Sequence, residues 1–174
     1  MEEHVVLVDS NDKELGTEEK IAAHKAAKLH RAFSIFVFNR DGKLLLQQRA
    51  AGKYHGAGLW SNTVCSHPRP GESIEAAAHR KLKQELGFDC ALKERFSFVY
   101  KVDMRNGLWE HEFDHVLVGS FDAKPKPNPE EVQQCRWADP ADVLREMDED
   151  PDSWTLWARI ALQRLLDKGF KPSG

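Results

Sequence analysis

The chain has 174 residues, which favours a single domain that buries roughly 70% of the surface its unfolded form exposes. Lys and Arg number 25 against 28 Asp and Glu, and a net charge of -3 gives no electrostatic case for nucleic acid or an acidic membrane, though a few local cations could still hold a small anion. The odd set Cys65, Cys90 and Cys135 lacks tight spacing, which speaks against a disulfide framework and a Cys-rich zinc site and for a reducing, cytoplasmic setting. The N-terminus shows no signal-peptide pattern, and no apolar run is long enough to span a bilayer.

Val5 to Val8 reads as a short strand closed by the turn residues Asp9 to Asp12. Thr17 to Lys20 looks like a helix start, and Ala22 to Lys28 a short, weakly patterned continuation. His24 and His30 are not at the i,i+4 spacing of one helix face, so the segment between them must bend if both bind one metal ion. Arg31 to Phe38 is β-branched and aromatic, Asn39 to Lys43 carries a turn signal, and Leu44 to Arg49 follows, which predicts a hairpin. Gly52 to Gly58 is a glycine-rich loop containing Lys53.

That loop leads into Trp60-Ser61-Asn62-Thr63-Val64-Cys65-Ser66-His67-Pro68. Pro68 biases His67 towards extended backbone, and side chains at i and i+2 of an extended chain leave on the same side. Cys65 and His67 are therefore expected to face one cavity. A helix is predicted next, from Ile74 to Glu85 and closed by Leu86-Gly87, with Ser73 as N-cap, Glu75 in the first turn and Gly87 as the stop. Its apolar stripe is Ile74, Ala77, Ala78, Leu82 and Leu86, with Lys81 and Glu85 as i,i+4 neighbours on another face.

Phe96 to Val102 alternates like a half-buried strand, and Arg105 to Gly107 is a turn. From Trp109 to Val118 a period of two puts Glu110, Glu112 and Asp114 on one face, and Trp109, His111, Phe113 and His115 on the other. Adjacent carboxylates on one face repel, and a bound cation explains them economically. Lys124 to Pro129 is a stiff extended segment, Glu130 to Trp137 another strand, and Pro140 to Met147 a short helix. Ser153 is expected to cap a final helix carrying Trp154, Leu156, Trp157, Ile160, Ala161, Leu165 and Leu166, ended by Gly169. The order implies an α+β fold with a helix-flanked mixed sheet.

Glu72, Arg80-Lys81-Leu82 and Glu85-Leu86-Gly87-Phe88 resemble the Nudix box, a loop–helix–loop that grips diphosphate through metal ions. The box is degenerate: Ser66 stands at its glycine position, and Lys81 and Gln84 replace two of its acids. Asn62 to Pro68 is similar to the Cys-containing motif of the type 1 isopentenyl-diphosphate isomerase family, and Trp109-Glu110-His111-Glu112 to that family's Glu-x-Glu motif. Lys20, His24, His30, Arg49, Lys53, Tyr100 and Trp157 fall where the family has functional residues. Ser66 and Lys81 depart from it, since Gly and Arg are more usual there.

The resemblance implies a single Nudix-like domain over 1–174, with a core at about 30–166 and residues 1–29 as an extension supplying metal and phosphate ligands. It implies Cys65 and Glu112 as the proton-transfer pair of a 1,3-proton shift, Tyr100 as a proton partner of Glu112, and Trp157 as the wall facing a tertiary carbocation. His24, His30, His67, Glu110 and Glu112 become a five-ligand site for Mn²⁺, Zn²⁺ or Mg²⁺. Glu85, with a backbone carbonyl near Cys65, becomes the holder of a second ion, Mg²⁺, brought with the diphosphate. Lys20, Arg49, Lys53 and Lys81 take the remaining phosphate charge. A monomer without nucleic-acid or membrane partners is expected. Two other functions compete: a Nudix hydrolase of a nucleoside diphosphate derivative, weakened by Lys81 and Gln84, and a non-catalytic metal or diphosphate binder.

Overall fold

The computed structural model describes residues 3–172. β1 (His4–Val8) pairs antiparallel with β2 (Glu14–Glu19). The polar sequence of β2 has no apolar alternation, so the pairing edge of β1 decides its conformation rather than its own pattern. Thr17 and Glu18, expected to start a helix, belong to this strand. Glu19 is the cap of α1 (Lys20–Lys25), its carboxylate accepting from the backbone N–H groups of Ile21 and Ala22 at 2.9 and 2.7 Å. The helix stops early, at Lys25 rather than Lys28, and Ala27 takes a left-handed φ of 51°. This is the bend that lets His24 and His30 approach, with ring centroids 4.7 Å apart.

β3 (His30–Phe38) is the spine of the sheet. It runs parallel to β8 (Trp109–Ser120) through nine pairs, from His30 opposite Glu112 to Phe38 opposite Ser120. It also pairs antiparallel with β6 (Val64–Ser66), where Ser34 faces Cys65. The turn after β3 forms as expected, but the hairpin with β4 (Leu44–Arg49) contains one pair, Phe38 opposite Leu44. The two strands part there, β4 pairing onwards with β9 (Val132–Ala138) and β5 (Trp60–Ser61). β7 (Leu92–Asp103) and β8 form the long hairpin whose turn holds Arg105 to Gly107.

β3 is buried on both faces, so helices cover both. Phe33, Ile35 and Val37 pack with Ala77, Ala78, Leu82 and Leu86 of α2 (Ile74–Leu86). Phe36 and Phe38 pack with Val143 and Met147 of α3 (Pro140–Glu149) and with Ala161, Leu162 and Leu165 of α4 (Leu156–Asp167). Each fully buried Leu contributes about 1.5–3 kcal/mol. The mixed sheet between helices is the expected α+β architecture.

α2 has the predicted ends: Ser73 Oγ accepts from Ala76 N–H, and Gly87 takes φ 69°. A Cβ on Gly87 would lie 2.6 Å from the Lys126 carbonyl oxygen. The closeness is functional packing, because the proline-rich segment is strapped to the helix end, Lys126 N–H donating to Leu86 O and Asn128 N–H to Glu85 O. Ser153 does not cap α4. It lies in a 3₁₀ turn (Pro151–Ser153), its hydroxyl donates to Asp150, and Trp154 precedes the helix. Thr155 is the residue at the cap position, but its hydroxyl is engaged with Ser61. Leu156, assigned to the apolar stripe, is exposed.

Candidate active site

β8 supplies the carboxylates. Its period-two geometry turns Glu110, Glu112 and Asp114 inward, and all three are buried. The parallel register brings His30 opposite Glu112, α1 delivers His24, and the segment after β6 delivers His67. Ligand atoms of His24, His30, His67, Glu110 and Glu112 all lie within 4.8 Å of one another. Five residues separated by up to 88 positions thus meet at one point.

The local bonding fits a divalent cation. Nδ1 of His24 and His30 donate to the backbone oxygens of Lys20 and Lys28, at 2.6 and 2.8 Å, which leaves both Nε2 atoms as lone pairs. His30 Nε2 lies 3.2 Å from His67 Nε2, which in turn is 2.9 Å from Glu112 Oε1. His24 Nε2 and Glu110 Oε2 sit 3.3 Å apart, both buried and both without a hydrogen-bond partner. Lone pairs converging this way repel unless a cation lies among them. Three imidazoles and two carboxylates without a thiolate suit Mn²⁺, Zn²⁺ or Mg²⁺, and five protein ligands are too many for a tetrahedral structural zinc.

Charge is distributed unevenly over the cluster. Burial, with the charge of Glu112 beside it, pushes Glu110 up to about 7. Burial also pushes Glu112 up, but the His30 and His67 imidazoles beside it outweigh burial and hold the carboxyl well below its usual range. His67 is driven down to about 3 by burial and is neutral at working pH. A ligand must lose its proton before it binds, so affinity for a divalent cation is expected to rise with pH, by at most about tenfold per unit for the one proton on Glu110, and to level off above about pH 7. Titrations with Mn²⁺ at pH 6, 7 and 8 check this, and an affinity flat across them would refute it.

Beside the cluster lies a cavity of about 280 Å³. Cys65, Glu112 and Trp157 all line it, so the thiol and the carboxylate face the same space. Cys65 Sγ lies 2.9 Å from Asn62 Oδ1, to which the thiol donates, and 3.4 Å from Ser34 Oγ. Burial and the nearby Asp114 carboxyl push the thiol up, so it keeps its proton. Tyr100 sits behind Glu112 and donates its hydroxyl to Oε2 at 2.6 Å; burial and the charge of Glu112 keep the phenol protonated.

The lining also carries paired charges. Lys20, Arg49, Lys53 and Lys81 all line the cavity, and each is held by a neighbour. Lys20 pairs with Glu3 at 2.8 Å, Lys53 with Glu131, and Lys81 with Glu85 at 2.9 Å. The Arg49 guanidinium lies 5.3 Å from the Trp157 ring. Glu85 also accepts from Gln47 Nε2 at 2.9 Å, so both its oxygens are engaged. Glu72 and Arg80 of the Nudix-like box form a two-pronged ion pair at 2.7 Å in each contact, which locks the loop onto α2.

His79, His111 and His115 stay out of the cluster, bonded to Asp89, to the Ala27 carbonyl and to Asp12 with Glu94 respectively. Sequence reasoning passed over His55, Tyr54, Gln47 and Glu131, all of which touch the cavity or its ligands. The glycine-rich loop was the available signal for Tyr54 and His55, which directly follow Lys53.

A NUDIX domain model matches residues 28–158. Isopentenyl-diphosphate Delta-isomerase 2 of Aromatoleum aromaticum is 48% identical over 166 residues, 95% of this chain and 88% of that protein. Isopentenyl-diphosphate Delta-isomerase 2 of Photorhabdus laumondii is 50% identical over 165 residues, 95% of this chain and 93% of that one. Among solved structures, the Deinococcus radiodurans protein DR0079 superposes with a TM-score of 0.79 at 20% identity, over 93% of this chain and 98% of its own. The MutT protein from Methanosarcina mazei gives 0.67 at 16% identity, over 82% and 96%. These two likenesses establish the fold.

Proposed function

The chain belongs to the NUDIX family and, within it, to the isopentenyl-diphosphate Delta-isomerases, and from that premise we propose how its cavity works. It is an enzyme that interconverts isopentenyl diphosphate and dimethylallyl diphosphate. The single observation carrying the assignment of roles is that Cys65 and Glu112 line one cavity together with four cations.

An unactivated alkene is a poor base, so it needs a strong acid on one face, a base to collect a different proton, and stabilisation of the tertiary cation between. One proton is added to the terminal methylene carbon, and another leaves the carbon next to the one bearing oxygen. The double bond shifts by one position and charge balances. Cys65 and Glu112 are the two proton carriers: one gives its proton to the alkene, the other takes the proton that leaves, and return of a proton between them restores the pair before the next turnover. Tyr100 shares the Glu112 proton through its 2.6 Å hydrogen bond. The Trp157 ring faces the cation, a contact worth about 2 kcal/mol or more in a dry site.

His24, His30, His67, Glu110 and Glu112 would hold one divalent cation, and Glu85, with a backbone carbonyl near Cys65, would hold the Mg²⁺ that accompanies the diphosphate; such ions would offset the crowded negative charge and sharpen the acidity of the Glu112 carboxyl. Lys20, Arg49, Lys53 and Lys81 bind the phosphate oxygens, Lys20, Lys53 and Lys81 exchanging their carboxylate partners for phosphate. Lys81 contacts phosphate as a point charge rather than a fork. Residues 1–29 act as an extension of the core that contributes Lys20 and His24. Three unpaired cysteines support a reducing, cytoplasmic setting, and among the described residues no helix is long and apolar enough to cross a membrane. We take the working unit to be a monomer.

Incubation with isopentenyl diphosphate and Mg²⁺ tests the reading. Allylic diphosphate is expected to accumulate with no released phosphate, followed by NMR and a phosphate assay. Phosphate release without allylic product would instead support a hydrolase.

A further inference from the structure

We propose that His55 positions Glu110 for metal binding by holding one of its carboxylate oxygens, so that the other is turned into the ligand cluster. His55 Nε2 lies 2.9 Å from Glu110 Oε1. The second oxygen, Oε2, has no hydrogen bond and lies 3.3 Å from the lone pair of His24 Nε2. The two oxygens of one carboxylate are thereby sorted, one to an imidazole outside the cluster and one to the cluster itself. His55 is not among the five converging ligands.

The ring can hold this place because everything around it is fixed. A neutral imidazole has one N–H, and His55 Nδ1 is buried without a partner, so the hydrogen belongs on Nε2, facing the carboxylate. A bare acceptor nitrogen is tolerated inside a protein better than a bare N–H. The His55 backbone oxygen accepts from Arg49 at 3.1 Å, and the ring packs at 4.1 Å from Tyr54 and 5.3 Å from Trp157. Gly56 follows at φ 60°, where a Cβ would stand 3.2 Å from both Arg49 and Trp157. One loop residue thus links the metal ligand Glu110 to Trp157 and Arg49. Ligating side chains oriented by such an outer partner lose about 10–100-fold in metal affinity when it is removed.

The inference rests on the five-ligand reading, so its test carries a control for that reading. Wild type, His55→Leu, His55→Gln and Glu110→Ala are stripped with chelator and titrated with Mn²⁺, and the melting temperature of each metal-free protein is recorded. His55→Leu, which fills the volume without a donor, is expected to bind Mn²⁺ about 10–100-fold more weakly, and His55→Gln, whose amide N–H reaches the same oxygen, to stay within about threefold of wild type. Should His55→Leu melt well below wild type, His55→Ala takes its place in the comparison. Wild-type affinity in the Leu variant, with binding lost in Glu110→Ala, would overturn the role of His55 alone. Equal weakening in Leu and Gln variants would also overturn it, since packing then matters and the donor does not. Unchanged binding in Glu110→Ala would bring down the ligand set and the inference together.

Discussion

Cys65→Ala and Glu112→Gln are each expected to lower allylic diphosphate formation by about 10²–10⁴-fold, the range by which positioned acid–base groups accelerate proton transfer. The two substitutions are well matched to the site. Ala removes the only thiol on the cavity wall and leaves Ser34 and Asn62 in place, and Gln keeps the shape of Glu112 while removing its ability to carry a proton. The loss is expected in the rate at saturating substrate, because the cations proposed to hold the diphosphate are a separate set of residues. Single-turnover measurements with isopentenyl diphosphate report it. Both variants turning over like wild type would remove the proposed proton pair. A Tyr100→Phe variant is a useful companion, since it deletes the hydroxyl bonded to Glu112 and leaves both proton carriers.

Glu110→Ala is expected to abolish tight binding of the divalent ion proposed for the five-residue cluster, with metal content after purification falling from near one equivalent to near none. The size of the effect follows from burial. Glu110 is 2% exposed and stands beside a second buried carboxylate, and its Oε2 faces the His24 lone pair with no other partner. Alanine removes one of the two carboxylates of the cluster, leaving three imidazoles and one carboxylate. Elemental analysis of the purified variant decides it, and an unchanged metal content would show that the five residues converge for another reason. The same variant is expected to lose activity, but the metal reading stands on the elemental analysis alone.

Periodicity, caps and turn residues are local, and where a feature is local the chain states it plainly. The α2 helix runs between a serine that caps it and a glycine that ends it. The alternation in β8 puts three acids on one face, and Pro68 with extended backbone aims Cys65 and His67 together. By contrast β2 was invisible, because a polar edge strand takes its shape from the strand beside it. The β3–β4 hairpin was overextended, because better partners for each strand lie far away in sequence. Ser153 failed as a cap because the chain makes a 3₁₀ turn there and the helix starts only at Leu156, with Thr155 at the cap position.

For the chemistry, the sequence by itself determined which groups were available: a thiol two residues from an imidazole, an acid pair on one strand face, a box of cations and a resemblance to one branch of one family. Which groups meet was decided only in three dimensions. The parallel register of β3 on β8 brings His30 to Glu112, the left-handed turn at Ala27 brings His24 to both, and the glycine-framed loop seats His55 on Glu110. Those meetings depend on pairings between distant segments, and no local pattern of apolar and polar residues encodes a distance between them.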